Sequence, residues 1–221
     1  MFRTAVQQTD WTVLAGQSSV KLRRGSRACS ELAQIRGPGH HVDVNRDLQA
    51  VAAQWSSQLT SIKLVVLDVD GVLTDGTLTW VAGEWTRSFH VHDGFGIKLL
   101  MRLGIDVAVI SADNNRAMAE RVKMLGIPHA YMGSEDKRGA WKDVLKKTGR
   151  VDSEALYIAD ELFDLPLLKR AGFSATVPSA TARVREAVHY ITERTGGRGA
   201  VREIVDLLCI AQQLTVEIPD F

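Results

Sequence analysis

Short apolar runs alternate with amphipathic segments along most of the chain. The clearest run, residues 62–67, is rich in β-branched side chains and is typical of a strand buried on both faces. Similar runs at 105–110, 155–158 and 174–177 are separated by segments with helical spacing. Strands that alternate with helices predict an α/β fold, a Rossmann-like, doubly wound parallel sheet with helices on both faces.

The remaining elements follow from helical spacing, glycine stops and turn residues. A β-hairpin is predicted at 77–91, with its turn at 82–84. Helices are predicted at 43–59, 93–103, 114–125, 136–148, 164–171, 184–188 and 200–213, and two further strands at 129–133 and 189–192.

The first part of the chain differs from the rest. Residues 1–42 carry a net charge of +4 against −3 for the remainder, and they show no sustained apolar period. We interpret them as a mostly disordered tail or an over-extended start, with an organelle-targeting peptide as the alternative. The predicted division is this tail, a leading helix at 43–60, an α/β domain at 61–213 and a second tail at 214–221.

Composition narrows the functional class. A net charge of +1 argues against a dedicated binder of nucleic acid or of anionic membranes. The two cysteines, Cys29 and Cys209, lack metal-ligand spacing and fit a reducing compartment such as the cytoplasm. We expect no membrane span and no secretory signal, because no apolar run has the required length.

Polar side chains collect where the predicted strands end. The carboxyl ends of parallel strands lie at one edge of a sheet, which is where open α/β sheets bind ligands. The residues are Asp68 and Asp70 after the first strand, Ser111 after the second, Lys137 after the third, and Asp160, Glu161 and Asp164 after the fourth.

These residue types favour phosphate chemistry. Grouped carboxylates suit Mg²⁺, which prefers oxygen ligands and keeps water and substrate phosphate around it. Asp68 is placed to attack phosphorus, and Asp70, two residues later, to move protons. Lys137 would neutralise phosphate charge and Ser111 would donate a hydrogen bond to it. The simpler interpretation of Asp160 and Asp164 is favourable acids at a helix start, and it does not exclude metal binding.

At this point the chain resembles a known family. DVDGVLTDG at 68–76 is similar to the first motif of haloacid dehalogenase superfamily phosphatases, and Ser111, Lys137 and the pair of Asp160 with Asp164 follow in the order of the other motifs. The segments HVHDGFGIKLL at 90–100 and GGRGAVREIVDLL at 196–208 narrow the resemblance to the capless branch that contains 3-deoxy-D-manno-octulosonate 8-phosphate phosphatase.

The resemblance implies a Mg²⁺-dependent phosphatase with a haloacid dehalogenase-like fold, a β-hairpin insertion and no large cap domain. The implied substrate is the 8-phosphate of 3-deoxy-D-manno-octulosonate, in lipopolysaccharide biosynthesis. The alternatives are a sialic-acid-like nonulosonate 9-phosphate or a degenerate, non-catalytic tetrameric member. A phosphomutase is disfavoured, because the interval from Gly76 to Asp93 is too short for a cap. Relatives commonly form homotetramers in which the hairpin closes a neighbouring site.

The resemblance also implies roles for individual residues. Asp68 is the nucleophile and a metal ligand, Asp70 is the acid/base and a ligand through its backbone carbonyl, and Asp160 completes the metal site. Glu161 and Asp164 would lie behind these ligands. The remaining assignments are Ser111 and Lys137 to phosphate, and Arg198 and His92 to the sugar acid.

Three positions depart from the family pattern. The chain has Ser111-Ala112-Asp113 where many sugar-phosphate members have T-G-R, and Ala159-Asp160-Glu161 where G-D-D or G-N-D is common. His92 stands where octulosonate phosphatases often have Arg. These changes leave phosphatase chemistry in place and bear on the substrate and on the level of activity.

Overall fold

A computed structural model describes residues 47–215 and contains one six-stranded sheet and one hairpin. The sheet consists of β1, β4, β5, β6, β7 and β8, and β2 and β3 form the antiparallel hairpin. In chain order the strands are β1 (Leu64–Leu67), β2 (Thr79–Val81), β3 (Glu84–Thr86), β4 (Asp106–Ser111), β5 (His129–Met132), β6 (Ala155–Ile158), β7 (Phe173–Thr176) and β8 (Tyr190–Ile191).

The strand order places the reversal of the sheet next to β1. The order is β5-β4-β1-β6-β7-β8, and every neighbouring pair is parallel. The chain runs outward from β1 to β5 on one side and then crosses back to β6 on the other. Such a switch point opens a crevice at the carboxyl ends of the strands. The predicted doubly wound parallel sheet is confirmed.

Two groups of helices cover the sheet. The helices are α1 (Leu48–Gln54), α2 (Ser56–Leu59), α3 (Val91–Arg102), α4 (Arg116–Leu125), α5 (Arg138–Thr148), α6 (Leu165–Leu168), α7 (Ala182–Arg185) and α8 (Ala200–Gln212). Helix α8 packs against α1 and α3, whereas α5 packs against α6. Right-handed crossovers on either side of the switch point place these two groups on opposite faces.

The central strands are buried because their side chains are apolar on both faces. All four residues of β1 and of β6 are fully covered, as expected for parallel strands between two helical layers. Trp141 of α5 packs edge-to-face against Tyr157 of β6, with ring centroids 5.7 Å apart. This layer fixes the helix that follows β5 against the middle of the sheet.

The boundaries differ from the predictions at two places that concern the site. The hairpin strands end at Thr86, and α3 begins at Val91, so residues 87–90 are a connector and not strand. The leading helix is broken at Trp55 into α1 and α2. Its predicted first residues, the tail at 1–42 with Cys29, and residues 216–221 lie outside the described part of the chain.

Within residues 47–215, no helix combines the length and the apolar content that a bilayer crossing requires.

Candidate active site

Asp68 lies at the carboxyl end of β1, on the switch side of the sheet. Its backbone N–H donates to the carbonyl of Ile158 at 3.0 Å, which extends the β1–β6 ladder by one residue. The N–H of Val69 donates to Asp68 Oδ1 at 2.7 Å and fixes the orientation of the carboxylate. The side chain is buried. A buried, oriented carboxylate with its second oxygen outside this bond is placed to act as a nucleophile.

A buried lysine joins two of the predicted acids. The Nζ atom of Lys137, at the start of α5, lies 2.9 Å from Asp68 Oδ1 and 2.8 Å from Asp164 Oδ1, and its side chain is 1% exposed. Lys137 also donates to the Tyr157 hydroxyl at 3.4 Å, and that hydroxyl donates to Asp164 Oδ1 at 2.6 Å. Burial raises the pKa of Tyr157 well above its usual value, so the phenol stays protonated.

A third carboxylate, that of Asp160, lies beside the two that pair with Lys137. Oxygen atoms of Asp68, Asp160 and Asp164 lie within 4.8 Å of one another. Burial raises the pKa of Asp68 to about 8 against the opposing charge of Lys137. Burial, reinforced by the charges of Asp164 and Glu161, raises the pKa of Asp160 to about 6. Burial therefore disfavours the charged form of both carboxyls in the absence of a further cation.

The cluster fits a hard divalent cation. All of its donors are carboxylate oxygens, which Mg²⁺ prefers. The buried Oδ2 atom of Asp164 has no hydrogen-bond partner among the described residues, so one acceptor remains for a metal-bound water. A positive ion would also favour the ionised forms of Asp68 and Asp160, which burial disfavours.

Gly71 allows the loop after β1 to pass close to Asp160. Its φ is +80°, and a Cβ at this position would lie 1.9 Å from Asp160 Oδ2. No side chain fits there, so the spacing D-x-D-G is set by contact with a carboxylate as well as by the turn. From the far side, Gly196 approaches so closely that its Cβ would lie 1.8 Å from the carbonyl oxygen of Gly71. The Gly-rich segment therefore supports the catalytic loop.

Asp70 is held by an arginine that the sequence analysis did not identify. Arg87 Nε donates to Asp70 Oδ1 at 2.5 Å and Nη2 donates to Oδ2 at 3.1 Å. Nη2 also pairs with Asp113, the acid that replaces the Arg of the T-G-R pattern. Arg87 lies within the predicted hairpin at 77–91, where no role was assigned to it. The one available signal was Asp113, an added acid that required a cation.

Ser111 is the last residue of β4 and is buried beside this arrangement. The backbone N–H of Asp113 donates to its Oγ at 3.2 Å. Because a hydroxyl accepts and donates at the same time, the Ser111 proton is left to point toward a phosphate.

Three other predicted residues stand apart from the carboxylates. The Arg198 side chain is 69% exposed, and its Nη2 atom lies 3.6 Å from Asp75 Oδ2. His92 is exposed and packs edge-to-face against His90. Glu161 accepts a hydrogen bond from the N–H of Leu162 at 2.6 Å and so caps the turn that leads to Asp164. Glu161 acts on the site through its charge, which raises the pKa of Asp160.

The comparisons with known proteins agree with this geometry. No family model matches the chain. The chain is 37% identical over 188 residues to the 3-deoxy-D-manno-octulosonate 8-phosphate phosphatase KdsC of Escherichia coli (strain B / BL21-DE3), which covers 85% of this chain and 94% of the relative.

Solved structures give the same match. A 3-deoxy-D-manno-octulosonate 8-phosphate phosphatase from Moraxella catarrhalis, in complex with magnesium ion, phosphate ion and KDO, is 38% identical with a TM-score of 0.70 and covers 72% of this chain and 92% of its own. A putative HAD superfamily (subfamily III A) hydrolase from Legionella pneumophila is 44% identical with a TM-score of 0.72, covering 74% and 91%.

We expect Lys137→Met to destabilise the fold strongly, because it leaves the buried carboxylates of Asp68 and Asp164 without a cation. Removing one partner of a buried pair lowers the free energy of unfolding by about 3–5 kcal/mol, which urea denaturation near pH 7.5 would measure. The matched control is Lys147→Met, which removes an exposed pair with Asp143 and should change stability little. Equal losses in the two variants would contradict the role of Lys137 as the centre of the cluster.

Proposed function

The chain belongs to the KdsC-like phosphatases of the haloacid dehalogenase superfamily, a family of metal-dependent phosphoric monoester hydrolases, and we propose that it hydrolyses 3-deoxy-D-manno-octulosonate 8-phosphate through a phospho-Asp68 intermediate. The observation that carries the proposal is the cluster of Asp68, Asp160 and Asp164 at the switch point of the sheet, in which Lys137 pairs with Asp68 and Asp164. The named relatives and the KDO-bound structure support the substrate class.

Asp68 attacks through its free oxygen. Oδ1 is held by the N–H of Val69 and by Lys137, which leaves Oδ2 to form the bond to phosphorus. The bond between phosphorus and the sugar oxygen breaks, and Asp70 delivers a proton to the departing alkoxide. Asp70 then takes a proton from the water that attacks the phosphoenzyme. Inorganic phosphate leaves and Asp68 is regenerated.

Phosphate charge is met by two residues at the same edge. The Ser111 hydroxyl donates a hydrogen bond to the phosphate, and the Lys137 ammonium supplies positive charge beside Asp68. Both contributions are preorganised, because each side chain is buried and already bonded to its neighbours.

The metal site consists of the carboxylates of Asp68 and Asp160 with the backbone carbonyl of Asp70. A bound Mg²⁺ would supply positive charge to the phosphoryl oxygens. Asp164 stands behind these ligands, holds Lys137 in place and keeps Oδ2 available for a water.

The altered second and fourth motifs do not favour a degenerate, non-catalytic member of the family. Asp113 adds an acid near the phosphate position, but it pairs with Arg87. Ala159 is fully buried, and its carbonyl accepts a hydrogen bond from the Thr176 hydroxyl at 2.6 Å. The acid that follows it, Asp160, stays in the cluster. Neither change removes a group that the proposed reaction needs.

We also propose a cytoplasmic location. Burial raises the pKa of Cys209 to about 11, so the thiol stays protonated and unreactive, as suits a reducing compartment. A cytoplasmic phosphatase of this substrate would serve lipopolysaccharide biosynthesis.

Asp68→Asn should reduce phosphate release from 3-deoxy-D-manno-octulosonate 8-phosphate to background, because an amide cannot form the acyl phosphate. Steady-state phosphate assays measure this, with folding checked by thermal denaturation. Asp143→Asn removes an exposed carboxylate on α5 and serves as the control with near wild-type turnover. Turnover in Asp68→Asn close to that of the control would rule out the covalent mechanism.

Chelation of divalent metal should stop turnover, and added Mg²⁺ should restore it and raise the melting temperature. A ligand at 100 times its Kd stabilises a protein by about 2.7 kcal/mol. Asp160→Asn should lose most of this Mg²⁺-dependent stabilisation, as measured by thermal denaturation with and without MgCl2. The same Mg²⁺ response in Asp160→Asn and wild type would remove Asp160 from the metal site.

We further propose a homotetramer that is assembled through the hairpin. Trp80 and Trp85 pack edge-to-face with centroids 5.0 Å apart, yet remain 58% and 51% exposed. Val81 and Leu78 add to this exposed apolar surface, which is typical of an interaction site.

Trp85→Glu should lower the mass of the particle from four chains to fewer in light scattering, because a charge at an apolar interface is costly to bury. Met124→Glu, on the exposed side of α4, is the control and should leave the mass unchanged. A monomeric wild type, or a Trp85→Glu variant with unchanged mass, would refute assembly through the hairpin.

A further inference from the structure

One buried guanidinium connects the hairpin connector to the acid/base and to the loop after β4. Arg87 makes two parallel bonds to Asp70, and its Nη2 also pairs with Asp113. The Arg87 side chain is only 3% exposed, whereas those of Asp70 and Asp113 are 36% and 48% exposed. The arginine is therefore the covered member of the group, between two carboxylates that face the crevice.

The fork geometry restricts Asp70 more than a single contact would. Two parallel N–H···O bonds fix both the position and the plane of a carboxylate. Asp113 in turn restricts the guanidinium, because it accepts a second hydrogen bond from Nη2. The buried Nη1 atom of Arg87 has no hydrogen-bond partner within residues 47–215, which is unfavourable and is tolerated here beside two anions.

The same loop is tied to the hairpin by two further contacts that do not reach Asp70. Asn115 Nδ2 donates to the carbonyl of Trp85 at 2.8 Å. Arg116 lies 3.8 Å from Glu84, and both side chains are exposed. Docking of the hairpin on the loop therefore has support apart from Arg87, so a role of Arg87 toward Asp70 can be separated experimentally from hairpin docking.

We propose that Arg87 is a positioning residue that holds the Asp70 carboxylate in line for proton transfer, and that Asp113 is the anchor that holds Arg87. This inference rests on the proposed function, in which Asp70 protonates the departing alkoxide. A carboxylate that rotates freely would spend less time in line with the leaving oxygen, and small displacements of a reacting group are costly in rate.

The first test replaces the forked guanidinium of Arg87 by a single ammonium and keeps the positive charge. In Arg87→Lys a single ammonium remains and the two parallel bonds to Asp70 are lost. We expect kcat to fall roughly 10- to 100-fold with KM for 3-deoxy-D-manno-octulosonate 8-phosphate changing little. Arg116→Gln, which removes the neighbouring exposed contact, should retain wild-type kcat. An increase in KM at unchanged kcat in Arg87→Lys would overturn positioning and indicate substrate binding.

A second comparison uses the leaving group. A sugar alkoxide needs a proton as it departs, whereas p-nitrophenolate is a good leaving group without one. The value of kcat/KM reports the steps up to formation of phospho-Asp68, so Arg87→Lys should lower it more for alkyl phosphates than for p-nitrophenyl phosphate. Equal losses on both substrates would indicate a merely structural role and overturn the inference.

The third measurement is the coupling between Arg87 and Asp113. Asp113→Asn should lower kcat in the wild-type background and have little further effect on Arg87→Lys, while Asp113→Glu restores most of the activity. Additive effects would show that Asp113 does not act through Arg87 and would overturn the anchor. Urea denaturation of the same variants separates a loss of kcat from a loss of folding.

Failure of the proposed function gives a different pattern. If the wild type does not hydrolyse the octulosonate phosphate but hydrolyses other alkyl phosphates, the proposed substrate is wrong. The leaving-group comparison then still tests the role of Arg87. If the wild type hydrolyses neither alkyl nor aryl phosphates with Mg²⁺ present, both the function and the role of Arg87 are overturned.

Discussion

The site depends on the burial of one ammonium among carboxylates. Asp68 and Asp164 are almost fully covered, and two such charges would be unfavourable without Lys137 between them. This requirement fixes where α5 must begin, because the lysine at its start has to reach the end of β1. The packing of Trp141 against Tyr157 holds the helix there. The pairing of Lys137 with these carboxylates therefore serves both the packing of α5 on the sheet and the chemistry of the site, so a substitution here affects both.

The topology explains why residues so distant in sequence meet at this contact. Strands β4 and β6 flank β1 on its two sides, in parallel. Their carboxyl ends bring Ser111 and Asp160 to either side of Asp68. Periodicity and motif order were sufficient to predict this arrangement, because strand ends and their polar residues are local features of the sequence. The convergence of Asp68, Asp160 and Asp164 is confirmed in the structure.

Other parts of the site could not be predicted, because they depend on packing between distant elements. Tyr157 looked like one more apolar residue of a buried strand, yet its hydroxyl lies between Lys137 and Asp164. Arg87 lies in the predicted hairpin at 77–91, but β3 ends at Thr86, so the residue belongs to a connector whose contacts depend on the folded chain. The close packing of Gly196 against Gly71 likewise joins two segments that are distant in sequence.

Asp113 shows why a departure from a motif has to be judged within the fold. A comparison position by position finds an acid where relatives carry a base, and it suggests a weakened phosphate site. The fold, however, brings Arg87 beside Asp113 from the hairpin connector, so this acid is paired with a guanidinium. Whether a departure from a motif is damaging therefore depends on which side chain the rest of the fold places opposite it.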